Sequence, residues 1–144
     1  MEEFKYSFAA GPEDIKAAFG IRREVFIIGQ NIPEEIEMDG QDSKALHVIV
    51  RNGDRVIATA RVRFPAENTA KIERMAVLSD YRGRGAGAGI ISFLMEEFNR
   101  RRITDVMLHA QQAVAGFYRS CGFTETGEPF IEAGISHIEM EKKL

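Results

Sequence analysis

The feature that most constrains this chain is a run of alternating glycines between Leu78 and Gly89, which separates a strand pattern from an amphipathic helix pattern. Glycine removes the Cβ that would hold a ligand away from the backbone, and the first turn of a helix leaves amide N–H groups unpaired. Arg82 and Arg84 add cations beside the partial positive charge of the helix N-terminus. The run therefore predicts a site for an anion such as phosphate, with a flexible connector as the alternative.

Two other kinds of glycine loop fit this stretch less well. Gly83, Gly85 and Ala88 match the dinucleotide pattern G-x-G-x-x-A, but Ser79 to Arg82 separate the strand from the first glycine. In the dinucleotide fold the first glycine ends the strand directly, and an acidic residue closes the next strand. A nucleotide-triphosphate loop requires Gly-Lys-Ser/Thr, which this run lacks.

Length and charge limit the class of protein. With 144 residues, 44% hydrophobic and 28% charged, the chain is expected to form one domain over residues 1–144. The net charge of -3 argues against a surface for nucleic acid. Residues 1–5 lack the pattern of a signal peptide, no apolar run reaches membrane-spanning length, and Cys121 is the single cysteine. These features predict a cytoplasmic protein with no membrane partner.

Hydrophobic periodicity gives an order of elements that mixes a meander with one crossover, which predicts an α/β fold with a mixed sheet. Asn52-Gly53 predicts a hairpin turn, Pro65 is expected to stop its second arm, and Gly122 is expected to end a helix. A short helix is also expected between Glu34 and Asp42. The strand patterns cover residues 4–8, 46–50, 56–64, 70–78, 106–109 and the segment 123–140, and the helix patterns cover residues 12–26, 90–102 and 112–120.

The glycine run itself carries a resemblance to a known family. Arg82-Gly83-Arg84-Gly85-Ala86-Gly87 resembles the R/Q-x-x-G-x-G/A signature of GNAT-type N-acetyltransferases. The strand Ile72 to Val77 and the segment Phe117 to Phe123 look like the neighbouring motifs, so the resemblance covers nearly the whole chain. Further segments look like the ElaA/YjcF-like branch: Glu24 to Phe26, Gln30, Asp39, Asp42, Leu108 to Gln111 and Gly134 to His137.

This resemblance implies a fold and a reaction. The fold is a mixed, mainly antiparallel, twisted sheet flanked by helices, with a splay between two strands that binds acetyl-CoA. The reaction is direct transfer of the acetyl group of acetyl-CoA, as co-substrate, to a small-molecule or peptide amine within a ternary complex, without a metal. The implied oligomeric state includes a homodimer.

The resemblance also implies which residues bind the co-substrate. Backbone groups of Met75, Ala76 and Val77 would hold the pantetheine as an added strand. Gln111 stands where the family often carries Asn. The pyrophosphate would lie on the loop residues Arg82, Gly83, Arg84, Gly85, Ala86 and Gly87.

Two side chains are candidates for proton transfer. Tyr118 resembles the general acid of the family, and a phenol with a pKa of about 10 is protonated at neutral pH. Its alternative role is a core tyrosine with its hydroxyl at the edge. Glu73 is the candidate base, because strand alternation places it on one face with Met75 and Val77, where burial would raise its pKa toward neutrality. Its alternative role is a surface ion pair.

Other residues have weaker functional interpretations. The acidic stretch from Glu34 to Asp42 would attract a cationic acceptor or form a solvated face. A zinc site on His47, His109 and His137 is disfavoured because no pair has close ligand spacing. Cys121 is expected to be a small buried residue rather than a nucleophile.

Two further classes of function remain open from the sequence. The first is a non-catalytic acyl-CoA-binding or sensing module on the same fold. The second is an interaction protein that uses exposed strands and binds no CoA.

Overall fold

The computed structural model describes residues 3–144, so Met1 and Glu2 of the segment examined for a signal peptide lie outside it. Four α-helices are described in this range: α1 (Pro12–Arg22), α2 (Glu34–Glu37), α3 (Ala86–Arg100) and α4 (Ala115–Ser120). The strands of the same range are β1 (Phe4–Phe8), β2 (Leu46–Asn52), β3 (Arg55–Ala66), β4 (Thr69–Val77), β5 (Asp105–Gln111), β6 (Thr124–Glu132) and β7 (Ile135–Lys143). The predicted α/β class is confirmed.

Over residues 3–144 the strands form one seven-stranded sheet in the order β1-β2-β3-β4-β5-β7-β6. Every neighbouring pair is antiparallel except β4 and β5, which are parallel and connected through α3. The sheet is therefore mixed and mainly antiparallel, as the family resemblance implies.

The first long helix begins and continues for reasons visible in the sequence. Pro12 occupies its first turn, where a missing amide costs nothing, and the Asp14 carboxylate accepts a hydrogen bond from the Ala10 amide at 2.9 Å. Beyond Arg22 the chain continues as a π-helical turn over Arg23–Ile28, so the predicted helix to Phe26 is confirmed in two parts. A π-helical turn re-aims the side chains that follow it, and such turns are frequent at functional sites.

Apolar side chains cover the two faces of the sheet unequally. The face that carries α3, called here the α3 face, holds most of the core, including Ile72, Ile90, Leu94 and Phe98. The opposite face, called here the α1 face, has a smaller cluster: Ile21, Val25, Phe26, Ile32, Ala76 and Leu78. The sheet is thus the middle layer, and its α1 face leaves room for charged groups.

A β-bulge in β4 decides which of its side chains belong to which face. Arg74 has a φ of 53°, and the register shifts because Thr59 pairs with Ala76 but Arg61 pairs with Glu73. Ile72 and Met75 therefore both pack on the α3 face, whereas Glu73 lies on the α1 face against Arg61. The prediction that Glu73 shares a face with Met75 and Val77 is wrong, because simple alternation does not survive the extra residue.

Two smaller differences concern element ends. The prediction that Pro65 stops β3 is wrong, since the strand runs to Ala66, and a register irregularity between Arg63 and Ala66 accommodates the missing amide. Gly122 ends α4 with a φ of 93°, as expected. Within residues 3–144 no helix combines the length and the apolar character that crossing a bilayer requires.

Candidate active site

The parallel pair β4 and β5 separates partway along its length. Backbone pairing runs from Thr69 with Asp105 to Ile72 with Leu108 and then stops, although β4 continues to Val77 and β5 to Gln111. Each strand stays attached to its other neighbour, β3 or β7, beyond that point. The result is a V-shaped splay in the middle of the sheet, with its apex at Ile72 and Leu108.

Backbone groups of β4 line one wall of the splay. The Leu78 amide donates to the Ile57 carbonyl at 2.9 Å, so backbone alternation turns the amides and carbonyls of Val77 and Met75 away from β3. The carbonyl of Val77 already accepts a hydrogen bond from Arg82 Nε at 3.0 Å. A ligand that pairs with β4 as an added strand therefore displaces this guanidinium from Val77 or shares the carbonyl with it.

The loop between β4 and α3 opens toward solvent at its glycines. Gly83 and Gly85 have φ values of 76° and 89°, a conformation that favours glycine, and a Cβ at either position would meet nothing within 4 Å. Gly85 is the N-cap of α3, and the Gly89 amide donates to its carbonyl at 2.9 Å. Because Gly89 makes the first backbone hydrogen bond of α3, the amides of residues 86–88 have no acceptor within the helix. These amides can donate to a bound anion.

Other glycines of the run are explained by packing rather than by a ligand. A Cβ on Gly89 would lie 1.8 Å from the hydroxyl of Tyr6, and one on Gly87 would lie 3.1 Å from the Phe117 ring. These glycines let α3 approach β1 and α4 closely. The sequence argument that all alternating glycines serve a ligand is therefore wrong for Gly89, and Gly87 has a packing role as well.

Tyr118 lies on the α3 face of the splay. Its hydroxyl faces the sulfur of Met75 at 3.7 Å, so it reaches from α4 to the β4 wall. Its ring is in edge contact with the rings of Phe117 and Phe123. Burial, together with the charge of Cys121, raises the pKa of Tyr118 to about 12. The phenol is consequently protonated at neutral pH, and its hydroxyl lies against Met75 of the β4 wall.

Glu73 has a different environment from the one expected. Its carboxylate pairs with Arg63, with Arg61 at 3.3 Å and with Lys71 at 3.6 Å. Burial acts to raise the pKa of Glu73, but the hydrogen bond from Arg63 and the charges of Arg61 and Lys71 outweigh it and leave the pKa lowered. The expected rise toward neutrality is wrong, because two of the three cationic neighbours, Arg61 and Arg63, come from β3, which the local sequence does not show.

The acidic stretch before β2 has two parts: Glu34 and Glu35 are exposed, as a solvated face would be, whereas Glu37, Asp39 and Asp42 are paired with arginines. Glu37 is 2% exposed and binds Arg22, which is 1% exposed, at 2.8 Å. Asp42 joins Arg22 to Arg61 with distances of 2.6 and 3.0 Å. Further ion pairs join Asp39 to Arg61 and Arg74, and Arg74 to Glu37. This buried ion-pair network, defined as Arg22, Glu37, Asp39, Asp42, Arg61 and Arg74, attaches α1 and α2 to the sheet.

The arginines of the network lower the pKa of two of its carboxyl groups, Asp39 and Asp42. The hydrogen bond from the Arg61 guanidinium, opposed by burial, is the largest cause of a pKa of Asp39 far below its usual range. Burial opposes the same effect at Asp42, but the pKa of that carboxyl is also lowered by Arg22 and Arg61. Arg22 occupies an otherwise apolar helix face in the sequence, and a buried ion-pair partner could have been predicted from that position.

Gln111 ends β5 and contacts a distant side chain. Its amide donates to Gln30 Oε1 at 2.9 Å, and the Gln30 amide donates back at 3.3 Å. This reciprocal pair connects the segment after the π-helical turn to the open end of the splay. Gln30 and Gln111 were singled out separately in the sequence, and the structure brings them together.

The three histidines are not arranged as the ligands of one metal ion in the described part of the chain. Within the described residues no group of three or more His, Cys, Asp or Glu side chains has the arrangement to hold a metal ion. His47 is buried and its Nε2 lies 3.0 Å from the Asp42 carbonyl. His109 and His137 lie near Glu132 on the α1 face of the sheet. Cys121 is a half-buried free thiol.

A strand splay beside a glycine-rich helix start is the arrangement that the family resemblance implies, and the comparisons agree. The family model described as acetyltransferase (GNAT) domain matches residues 11–144. The chain belongs to the GNAT acetyltransferase family. Within that family the expected ElaA/YjcF-like character is confirmed by relatives and by solved structures.

The chain is 32% identical to the uncharacterized N-acetyltransferase YjcF of Bacillus subtilis, over 96% of this chain and 99% of that protein. The crystal structure of Escherichia coli ElaA has 27% identity and a TM-score of 0.85, with 99% and 100% of the two chains covered. An acyl-CoA N-acyltransferase structure from Pseudomonas aeruginosa has 25% identity and a TM-score of 0.85, with 99% of both chains covered. These similarities support an N-acetyltransferase and give no support to a non-catalytic module.

Proposed function

We propose that this protein transfers the acetyl group of acetyl-CoA directly to an amine, with both substrates bound at the β4–β5 splay. The observation that carries the proposal is the end of β4–β5 pairing at Ile72 and Leu108, with the protonated Tyr118 hydroxyl facing Met75 beside the gap. The name of the Pseudomonas aeruginosa structure, an acyl-CoA N-acyltransferase, supports the same class of donor.

The residues present fit a CoA thioester. Backbone groups of Met75 and Val77, on either side of Ala76, face away from β3 and offer strand-like hydrogen bonds to the amides of pantetheine. The open Gly83 and Gly85, the first-turn amides from Ala86 onward and the cation of Arg84 suit the pyrophosphate. Once Arg82 leaves the Val77 carbonyl, its guanidinium is also available to a phosphate. Gln111 is engaged with Gln30 and serves as a boundary of the splay rather than as a proposed CoA contact.

Tyr118 supplies the proton that the leaving group needs. The neutral amine nitrogen attacks the thioester carbonyl carbon, so a C–N bond forms while the C–S bond breaks. The thiolate takes the phenolic proton of Tyr118, the acetylated nitrogen loses one proton to water, and solvent reprotonates the tyrosine. The raised pKa leaves Tyr118 protonated at neutral pH, and its proton moves to sulfur as the C–S bond breaks.

Release of free thiol from acetyl-CoA, measured against a library of primary amines, tests this proposal. We expect acetyl-CoA to raise the melting temperature, since a ligand that binds the native state stabilises it. We also expect saturable turnover with at least one amine class, in which the initial-rate pattern shows that both substrates must bind before product leaves. A thermal shift without turnover on any amine contradicts the proposal, as does a pattern that requires an acetylated enzyme.

A further inference from the structure

Arg74 has a backbone conformation that arginine rarely adopts. Its φ of 53° is in the left-handed region, and of the four non-glycine residues with positive φ between residues 3 and 144 it is the one that lies within a strand. Glycine is the usual residue when a bulge position takes this conformation, because it has no Cβ to clash with the backbone. An arginine at this position is therefore expected to offset the strain through the contacts of its side chain.

The Arg74 side chain contacts one short segment of the chain. Its Nη2 donates to the Glu37 carbonyl at 3.2 Å and to the Ile36 carbonyl at 3.4 Å. The same nitrogen lies 3.3 Å from Asp39 Oδ2, and Nε lies 3.2 Å from Glu37 Oε1. The last carbonyls of a helix have no partner within the helix, so a guanidinium suits the end of α2. Arg74 thus attaches the residues from Ile36 to Asp39, called here the α2 end segment, to β4.

Arg74 also lies in the wall of the splay. Pairing of β4 with β5 ends at Ile72, so Arg74 belongs to the part of β4 that has left β5. Met75, the next residue, packs on the α3 face, where the Tyr118 hydroxyl faces its sulfur. The ion pairs of Arg74 with Glu37 and Asp39 lie in the network on the α1 face. Arg74 therefore connects the wall proposed for acetyl-CoA with a segment on the opposite face of the sheet.

From this placement we propose that Arg74 is a positioning residue for both substrates, an inference that rests on the proposed function. Its left-handed backbone keeps the backbone groups of Met75 turned toward the gap, where they bind pantetheine. Its side chain holds the α2 end segment beside the gap on the α1 face. The amine arrives from this face, because α4 and Tyr118 occupy the other. Arg74 itself contacts no reacting atom.

Two substitutions separate the backbone from the side chain. Arg74→Gly and Arg74→Val lose the same side-chain contacts, but glycine keeps the left-handed conformation and a β-branched residue disfavours it. In calorimetry, Arg74→Gly should bind acetyl-CoA within about 2-fold of the unmodified protein, whereas Arg74→Val should bind it about 10-fold more weakly. Circular dichroism establishes that each variant is folded, and Arg74→Thr, which is also β-branched but smaller, replaces Arg74→Val if that variant is not. Equal affinities of the glycine and β-branched variants overturn the inference.

Arg102 supplies the matched control for strain. Its φ is 60° and it is exposed, but it follows the C-terminal end of α3, whereas the glycine loop precedes the N-terminal end of that helix. Arg102→Gly and Arg102→Val should both bind acetyl-CoA as the unmodified protein does. If Arg102→Val loses as much affinity as Arg74→Val, the effect comes from strain in general, and the inference is overturned.

The role of the side chain is measured with the best amine of the library. In Arg74→Gly the KM for the amine should rise about 10-fold while kcat stays within about 2-fold, since the proton donor is untouched and the lost interaction concerns binding. Arg74→Lys retains a positive charge and should recover part of the affinity for the amine. A purely structural residue would instead lower the melting temperature and leave both KM and the affinity for acetyl-CoA unchanged, which overturns the inference.

Failure of the proposed function is recognised separately. An unmodified protein that binds acetyl-CoA and turns over no library amine contradicts acetyl transfer. The comparison of Arg74→Gly with Arg74→Val then still decides the inference at the β4 wall, because it needs no turnover. Absence of acetyl-CoA binding by the unmodified protein overturns both.

Discussion

The two faces of the sheet meet at the splay with opposite chemistry. On the α3 face the side chains of Met75 and Tyr118 beside the gap are uncharged, and the charges nearby are those of Arg82 and Arg84 in the glycine loop. On the α1 face the groups are ionised, namely Glu73 with its cations and the buried ion-pair network behind it. One strand, β4, contributes to both faces because the bulge at Arg74 turns Glu73 and Met75 to opposite sides.

The two faces of the sheet have separate roles in the proposed reaction. In the proposed mechanism an uncharged, partly buried phenol keeps its proton until a thiolate forms beside it, whereas the ionised groups hold the surrounding elements on the sheet. A carboxylate surrounded by cations is a poor proton acceptor, since its charged form is the stabilised one. We therefore propose that the α1 face positions the elements around the splay and that the α3 face carries the proton donor.

The largest expected effect is on stability and comes from the ion-pair network. Arg22→Met removes the shared partner of Glu37 and Asp42 and leaves Glu37 buried beside Arg74 alone. We expect the free energy of unfolding to fall by about 3–5 kcal/mol, measured by urea denaturation.

The neighbouring residue offers the control for this change. Arg23 pairs with Glu34, but its side chain is 59% exposed, so Arg23→Met should cost less than about 1 kcal/mol. Similar losses in the two variants would show that the α1 face does not depend on the buried pairs. The described contrast between the two faces of the sheet would then be wrong for the α1 face.

A smaller effect is expected at the uncharged face. Ala88 is exposed in the first turn of α3, and Ala88→Asp places a carboxylate where the pyrophosphate is proposed to bind. The fold should tolerate it, since an acidic side chain near a helix N-terminus is favourable. Acetyl-CoA should bind about 10-fold more weakly by calorimetry, a change of about 1.4 kcal/mol. Ser92→Asp adds the same charge one turn further along α3 and should bind acetyl-CoA normally; equal weakening by both variants would argue against a site at the helix start.

The sequence predicted the helices, the strands and the glycine loop better than it predicted the face of the sheet on which a side chain lies. Periodicity placed the strands and helices within a few residues, and the glycine run with its arginines marked the start of α3, because these signals are local. The orientation of Glu73 depends on an extra residue in the pairing of β3 with β4, which appears only when both strands are aligned. Alternation counted along β4 alone could not show it.

The other differences from the sequence predictions arise from side-chain contacts between residues that are distant in sequence. The acidic stretch was ambiguous because Arg61 and Arg74 lie far from it in sequence and meet it only through the sheet. The presence of Arg22 among apolar helix positions was a usable sign of a buried ion pair, whereas the pairing of Gln30 with Gln111 had no local sign. Gly89 was misjudged because its contact, Tyr6, comes from the first strand.

In the proposed mechanism the proton donor lies on the α3 face, at Tyr118, and Glu73 stays ionised as a positioning residue. Rate profiles from pH 6 to 9 for Tyr118→Phe and Glu73→Gln, with the best amine of the library, test it most directly. Tyr118→Phe should lower kcat by about 100-fold with acetyl-CoA affinity unchanged. Because the pKa of Glu73 is lowered from its usual value near 4.5, its carboxylate does not titrate in this range, so Glu73→Gln should keep the rising limb at the wild-type pH. Wild-type turnover in Tyr118→Phe, or a rising limb moved to higher pH in Glu73→Gln, would contradict the claim.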